Sequence, residues 1–144
     1  EVFIWDLFYQ KVVHPAVWGE PGDATRITHA IDTAIPEVLD YLEAELPDDG
    51  FLFGTIGLAD IAIATFFPNA RFAGYEVDAQ RWPTTAAFVE RCLAHPAFAA
   101  LTPFEQAQIR VSPQGRRAAL LAAGAPLSET SYGLKTPRKG VMTL

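Results

Sequence analysis

The chain has 144 residues, half of them apolar, with a formal net charge of −6; that composition excludes a disordered polymer and suits a globular unit able to bury its own core. A single cysteine, Cys92, excludes an internal disulfide, and no uninterrupted apolar run approaches the roughly 20 residues that span a bilayer. Residues 1–104 hold five Lys and Arg against fifteen Asp and Glu, a balance of −10, whereas residues 105–144 hold six against two, a balance of +4. An acidic body argues against nucleic acid as a partner, since that affinity comes from cations on phosphate.

Residues 1–18 predict an amphipathic helix, with Val2, Trp5, Phe8, Tyr9, Val12 and Val13 at three- and four-residue spacings and a thin polar side of Asp6, Gln10 and Lys11. So wide an apolar face needs cover on two sides. The run starts at Glu1 without a cap, so the chain is expected to be a fragment whose first helix has lost its beginning. Pro15 and the cluster Trp18-Gly19-Glu20-Pro21-Gly22 bend or end it.

Asp23 or Thr25 can cap a second helix reaching about Leu46, with Ile27, Ile31, Ala34, Ile35, Val38, Leu39, Leu42 and Leu46 in one stripe and a kink expected near residues 32–36 from Pro36. Phe51-Leu52-Phe53-Gly54 then links to a helix over 57–70, disturbed near its end by Pro68. In that helix Gly57 is the N-cap, Asp60 stands at the third position to reach back to the Gly57 amide, and Ile56 and Ile61 can form a hydrophobic staple. A loop over 71–82, helices over 84–94 and 96–101, and a further helix over 113–124 follow; beyond Pro126 the composition favours loop. No strand alternation of useful length occurs, so the fold class is all-α.

The segment 54–65, with Gly57, Asp60, Ile56 and Ile61, resembles the capping-box and staple segment of the helical C-terminal domain of glutathione transferases. At the distance that family leads one to expect come Trp82-Pro83, Phe88, Arg91 and His95-Pro96-Ala97-Phe98, similar to its proline-opened helix and the short helix after it. The chain departs from the family at Gly57, where relatives place Ser or Thr, and at His95, where Arg is common. The resemblance covers residues 1–104 as a glutathione transferase C-terminal-like helical bundle; residues 105–144 are then an extension of short helix plus loop, its basic character free to fold back, to dock on an acidic partner or to stay solvated.

No self-contained active site is legible. His14, His29 and His95 lack metal-ligand spacing, there is no second cysteine, and no phosphate loop, nucleophile elbow or paired carboxylate stands out. What the resemblance implies is a divided site. A thioredoxin-like N-terminal domain holds glutathione and activates its thiol, while the helical domain receives the small hydrophobic electrophile and forms the homodimer contact. On that reading no catalytic residue lies in this chain, which alone is inactive; no metal is needed, glutathione is co-substrate, and the setting is cytoplasmic detoxification without membrane or nucleic acid.

The substrate-facing candidates are Trp5, Phe8, Tyr9, Val12 and His14, any of whose rings could instead fill the core. The spacing from Trp5 to His14 looks like that of bacterial transferases, where a His followed by Lys contributes to the glutathione side; here Pro15 replaces the Lys, and His14 could equally be a helix-end residue. Cys92 shares an apolar face with Phe88 and Leu93 and is expected to be inert. The alternative function is a non-catalytic transferase-like module for protein contacts.

Overall fold

A computed structural model describes residues 1–109 and 111–128, and among these every regular element is a helix. The expected loop beyond Pro126 falls mostly outside the described residues. Two compact units are present, Glu1–Ala99 and a second beginning at Ala100.

The first unit opens with α1 (Val2–Val13), a wide helix of the i→i+5 type in which the His14 amide donates to the Tyr9 carbonyl, and continues into α2 (His14–Trp18). Pro15 sits in the first turn of α2, where a missing N–H is tolerated, and the run ends at Gly19, whose φ of 71° favours glycine. The fully buried residues of α1 are Phe3, Leu7 and Gln10, none of them in the expected stripe of Val2, Trp5, Phe8, Tyr9, Val12 and Val13; of that stripe Val2 and Val12 pack half-buried against the core, and Trp5 is 55% exposed. The helix is apolar nearly all round, so helical spacing could not select its inner face, and the wide turn shifts which residues align.

Asp23 begins the second run, its Oδ1 accepting from the Thr25 and Arg26 amides at 2.9 and 3.1 Å. That run comprises α3 (Ala24–His29), a wide turn α4 (Ala30–Ala34) and α5 (Ile35–Glu45). Pro36 explains the middle piece: it lacks an N–H and its ring crowds the carbonyl four residues back, so the chain opens to i→i+5 bonding just ahead of it. The kink expected near 32–36 is thus a loosened turn. Ala30, Ile35 and Leu39 are its buried residues, and Val38 stays at the surface.

The capped helix is α6 (Leu58–Ala64), followed after Thr65 by α7 (Phe66–Phe72). Pro68 acts on the residues before it, so the break falls at Thr65 and the helix restarts, running two residues beyond the expected end. Gly74, at φ 75°, closes α7 with its amide on the Arg71 carbonyl and the Tyr75 amide on the Ala70 carbonyl. Next come α8 (Pro83–Ala94) and the short α9 (Pro96–Ala99), where the Ala97 amide donates to His95 Nδ1 at 3.3 Å.

Helix α7 lies along α1, and α5 and α6 meet α8. Phe3, Leu7, Ile35, Leu39, Phe67, Trp82 and Val89 belong to the main core; Leu46, Ala64, Phe88 and Cys92 form a second cluster against which Phe98 packs. The second unit contains α10 (Thr102–Gln108), absent from the expectation, and α11 (Arg116–Ala122), which pack on each other.

Candidate functional site

Of the substrate-facing candidates, Trp5, Tyr9 and His14 come together. Trp5 and Tyr9 have ring centroids 5.5 Å apart at 51°, and Tyr9 and His14 are 5.9 Å apart in an edge contact at 78°, both within the range of favourable aromatic pairing. Spacings of four and then five residues fit one turn of the wide helix, so the three rings form a continuous row. Phe8 is half-buried on the same helix, whereas Val12 turns inward and packs against the main core.

A strap over residues 19–23 crosses this helix and fixes the end of the row. His14 Nδ1 lies 3.2 Å from the Glu20 carbonyl, which can only accept, so Nδ1 donates and Nε2 is the acceptor nitrogen of the neutral ring. Buried Gln10 donates from Nε2 to the Trp5 carbonyl at 3.3 Å and accepts the Asp23 amide at 2.9 Å. The strap approaches closely because residue 22 is glycine: a Cβ there would stand 2.0 Å from the Gln10 carbonyl oxygen. Arg26 and Asp6 close the flank at 2.5 Å.

The helix start at Gly57 is built around Asp60, which has no exposed surface. One carboxylate oxygen accepts the Gly57 amide at 2.8 Å, as the spacing indicates. The other accepts the Leu52 amide at 2.9 Å and so ties the 51–54 turn to α6, a bond that no local pattern announces. Ile56 is half-buried, but Ile61 remains 41% exposed, so a staple between them contributes little beside the carboxylate.

Asp40 and Glu43, which sequence reasoning passed over, and Arg91, singled out only as part of the family pattern, hold α8 in place. Glu43 accepts the amides of Thr84 and Thr85 at 2.9 and 2.8 Å, capping a helix whose own N-cap residue, Trp82, offers no acceptor. Burial pushes the Glu43 carboxyl up, but those two amide bonds outweigh it and hold the group below its ordinary 4.5. Asp40 accepts Trp82 Nε1 at 2.6 Å, and Arg91 donates from Nε to the Gly50 carbonyl at 2.7 Å and from Nη2 to that of Pro47 at 3.3 Å. Their partners lie 41 to 44 residues away in sequence. Spacing therefore carries no signal of them.

Cys92 has no exposed surface, and burial, with help from the Asp60 charge, pushes its thiol up to about 11. Low thiolate content and closed access both remove it from nucleophilic chemistry. Among the described residues no three His, Cys, Asp or Glu side chains converge on a point that could hold a metal ion. An apolar cleft of about 310 Å³ opens between α1, α5, α6 and α7, bordered by Val2, Phe3, Leu42, Ile63, Phe66 and Phe67 among others; none of Trp5, Phe8, Tyr9, Val12 or His14 lines it.

Comparison with known proteins adds one finding. Residues 26–91 match the family model for the glutathione S-transferase C-terminal domain. No curated protein and no solved structure gives a significant match to the chain. The matched segment runs from the Asp23-capped helix through the Asp60 cap to Arg91, and the aromatic row on α1 precedes it. Residues 26–91, all-helical and capped in this manner, are similar to the C-terminal domain of glutathione S-transferases.

Proposed function

We propose that the chain is the electrophile-receiving half of a cytoplasmic glutathione transferase, whose thiol-activating half is a thioredoxin-like domain preceding it. The family match over residues 26–91 supports the assignment, and the row of exposed Trp5 and half-buried Tyr9 and His14 is the observation that carries the division of labour. Rings in a row on a half-exposed helix offer an apolar, polarisable wall to a small hydrophobic substrate. Glutathione supplies the nucleophile: its thiolate forms a carbon–sulfur bond at the electrophilic carbon as the leaving group departs with its bonding electrons, the usual chemistry of detoxification.

The residues of this chain bind and orient; none acts as general base or nucleophile. His14 Nε2, left as acceptor by the bond from Nδ1 to the Glu20 carbonyl, can take a hydrogen bond from the thiol side of the shared cleft. Residues 1–104 serve as the helical domain and 105–144 as its extension, with a homodimer formed through the first helices. No metal takes part.

The test is turnover of 1-chloro-2,4-dinitrobenzene with glutathione by the protein encoded with its upstream domain. We expect glutathione-dependent activity and retention on immobilised glutathione there, and no activity from the 144-residue chain alone. A second reading, a non-catalytic transferase-like module that binds proteins, draws support from Leu58 and Phe53, each 83% exposed beside α6. Retention on glutathione without turnover of any electrophile would select it.

A further inference from the structure

We infer that Gln10 is a positioning residue: it holds the strap over 19–23 so that His14 is kept in its Nδ1–H tautomer and the aromatic row ends in a hydrogen-bond acceptor. What that acceptor serves rests on the transferase reading; the tautomer is a property of the chain itself.

Gln10 is the one polar side chain among the buried residues of α1, only 6% exposed. Its amide has a single workable orientation. The Trp5 carbonyl, five residues back, can only accept and the Asp23 amide can only donate, so Nε2 must face the first and Oε1 the second. Turning the side chain over would set oxygen against oxygen and N–H against N–H, away from water, where an unmade bond is costly. One end of the side chain thus grips its own helix and the other grips the strap. Gly22 lies flush against the same residue, since only a missing Cβ lets the strap backbone pass the Gln10 carbonyl.

From there the link to His14 is short and stiff. Pro21 stands between Glu20 and the pair Gly22-Asp23; its ring locks its own φ and confines the residue before it to extended backbone. The oxygen that receives His14 Nδ1 at 3.2 Å is the Glu20 carbonyl, on the peptide bond into that ring. A strap held at 22 and 23 therefore presents this oxygen at a set place, and the imidazole, edge-on to Tyr9 at 5.9 Å, meets it with Nδ1–H. In water a neutral histidine ring prefers the Nε2–H form, so the strap imposes the other. The consequence is selective: a thiol, hydroxyl or amide N–H beside Nε2 finds an acceptor, and a carbonyl or carboxylate there finds no donor.

Two-bond proton–nitrogen correlation spectra of the isotope-labelled chain above neutral pH read the tautomer directly, because protonated and bare ring nitrogens resonate far apart. We expect wild-type His14 to show a protonated Nδ1 and a bare Nε2. Gln10→Met, which keeps the length of the side chain and removes both of its hydrogen bonds, should lower the ratio of Nδ1–H to Nε2–H by about fivefold or more, the worth of one hydrogen bond to a carbonyl. Gly22→Ala, which displaces the strap with Gln10 in place, should act the same way. Glu43→Gln weakens the hold on the start of α8 and removes no bond to the strap, so it controls for lost stability and should leave the His14 signals unchanged. A wild-type ring protonated on Nε2, a wild-type ratio in folded Gln10→Met or in Gly22→Ala, or an equal change in Glu43→Gln would overturn the inference. Should Gln10→Met not fold, the wild-type spectrum and Gly22→Ala decide it. The ring itself is read, so this test and that of glutathione-dependent turnover can fail independently.

Discussion

Replacing Asp60 by alanine should destabilise the first unit more than the loss of an ordinary helix cap does. A cap alone contributes about 0.5–2 kcal/mol. Here the carboxylate is fully buried and accepts two amides, from Gly57 at 2.8 Å and Leu52 at 2.9 Å, and an unpaired buried donor costs about 1–3 kcal/mol. Alanine leaves both donors unpaired and opens a small void on the side of Cys92, which together give about 3 kcal/mol. For a domain of this size that corresponds to a fall in melting temperature of about 10–15 °C. Asp60→Asn supplies the internal control: one oxygen can still accept, but the amide nitrogen faces a second N–H, so its loss should be intermediate. Urea denaturation followed by circular dichroism measures both. Two variants within about 0.5 kcal/mol of the parent would show that the carboxylate does not hold the 51–57 segment to α6.

The remaining predictions concern other positions. Gly22→Ala should lower stability by about 2 kcal/mol or more, because its Cβ would meet the Gln10 carbonyl oxygen at 2.0 Å and the strap over 19–23 must shift; an unchanged denaturation midpoint would remove the strap from the account. Glu43 has its folded-state pKa lowered, so its stabilisation is present in full above its unfolded pKa, ordinarily 4.5, and is lost as pH falls through the lower folded value. Melting curves of Glu43→Gln against pH should therefore lie below the parent near neutrality and converge with it in acid, and parallel curves would contradict the capping role. Cys92, with its thiol pushed up to about 11, should resist a chromogenic disulfide reagent at pH 8 until denaturant is added; rapid labelling of the native chain would mean that the second core cluster is open.

Much of the fold was legible where the signal is short in range. Asp23 and Asp60 cap helices two and three residues away, a relation visible in the order of the letters, and Pro36 and Pro83 mark a loosened turn and a helix start. The pattern failed on α1, where apolar residues surround the helix and the choice of Phe3, Leu7 and Gln10 as inner residues depends on what α7 offers from the other side. It also passed over α10, although Pro103 and Glu105 in the first turn are ordinary helix-start signals. Asp40 and Glu43, and the partners of Arg91, were invisible for a different reason: those contacts are brought near only by packing.

For the candidate site, the same distinction applies. Aromatic content on α1 suggested a wall, but which rings would form it depended on the pitch of the helix. Trp5, Tyr9 and His14 align because the turn is wide, and Val12 leaves the row for the core.

The proposed division of labour between a thiol-activating domain and this helical one is tested most directly by steady-state kinetics of the chain joined to its proposed upstream domain and carrying Tyr9→Ala. With the melting temperature preserved, kcat/KM for the hydrophobic electrophile should fall by about tenfold while KM for glutathione stays within about twofold. Equal loss for both substrates, or wild-type kinetics for the electrophile, would contradict the assignment of the aromatic row to the electrophile side.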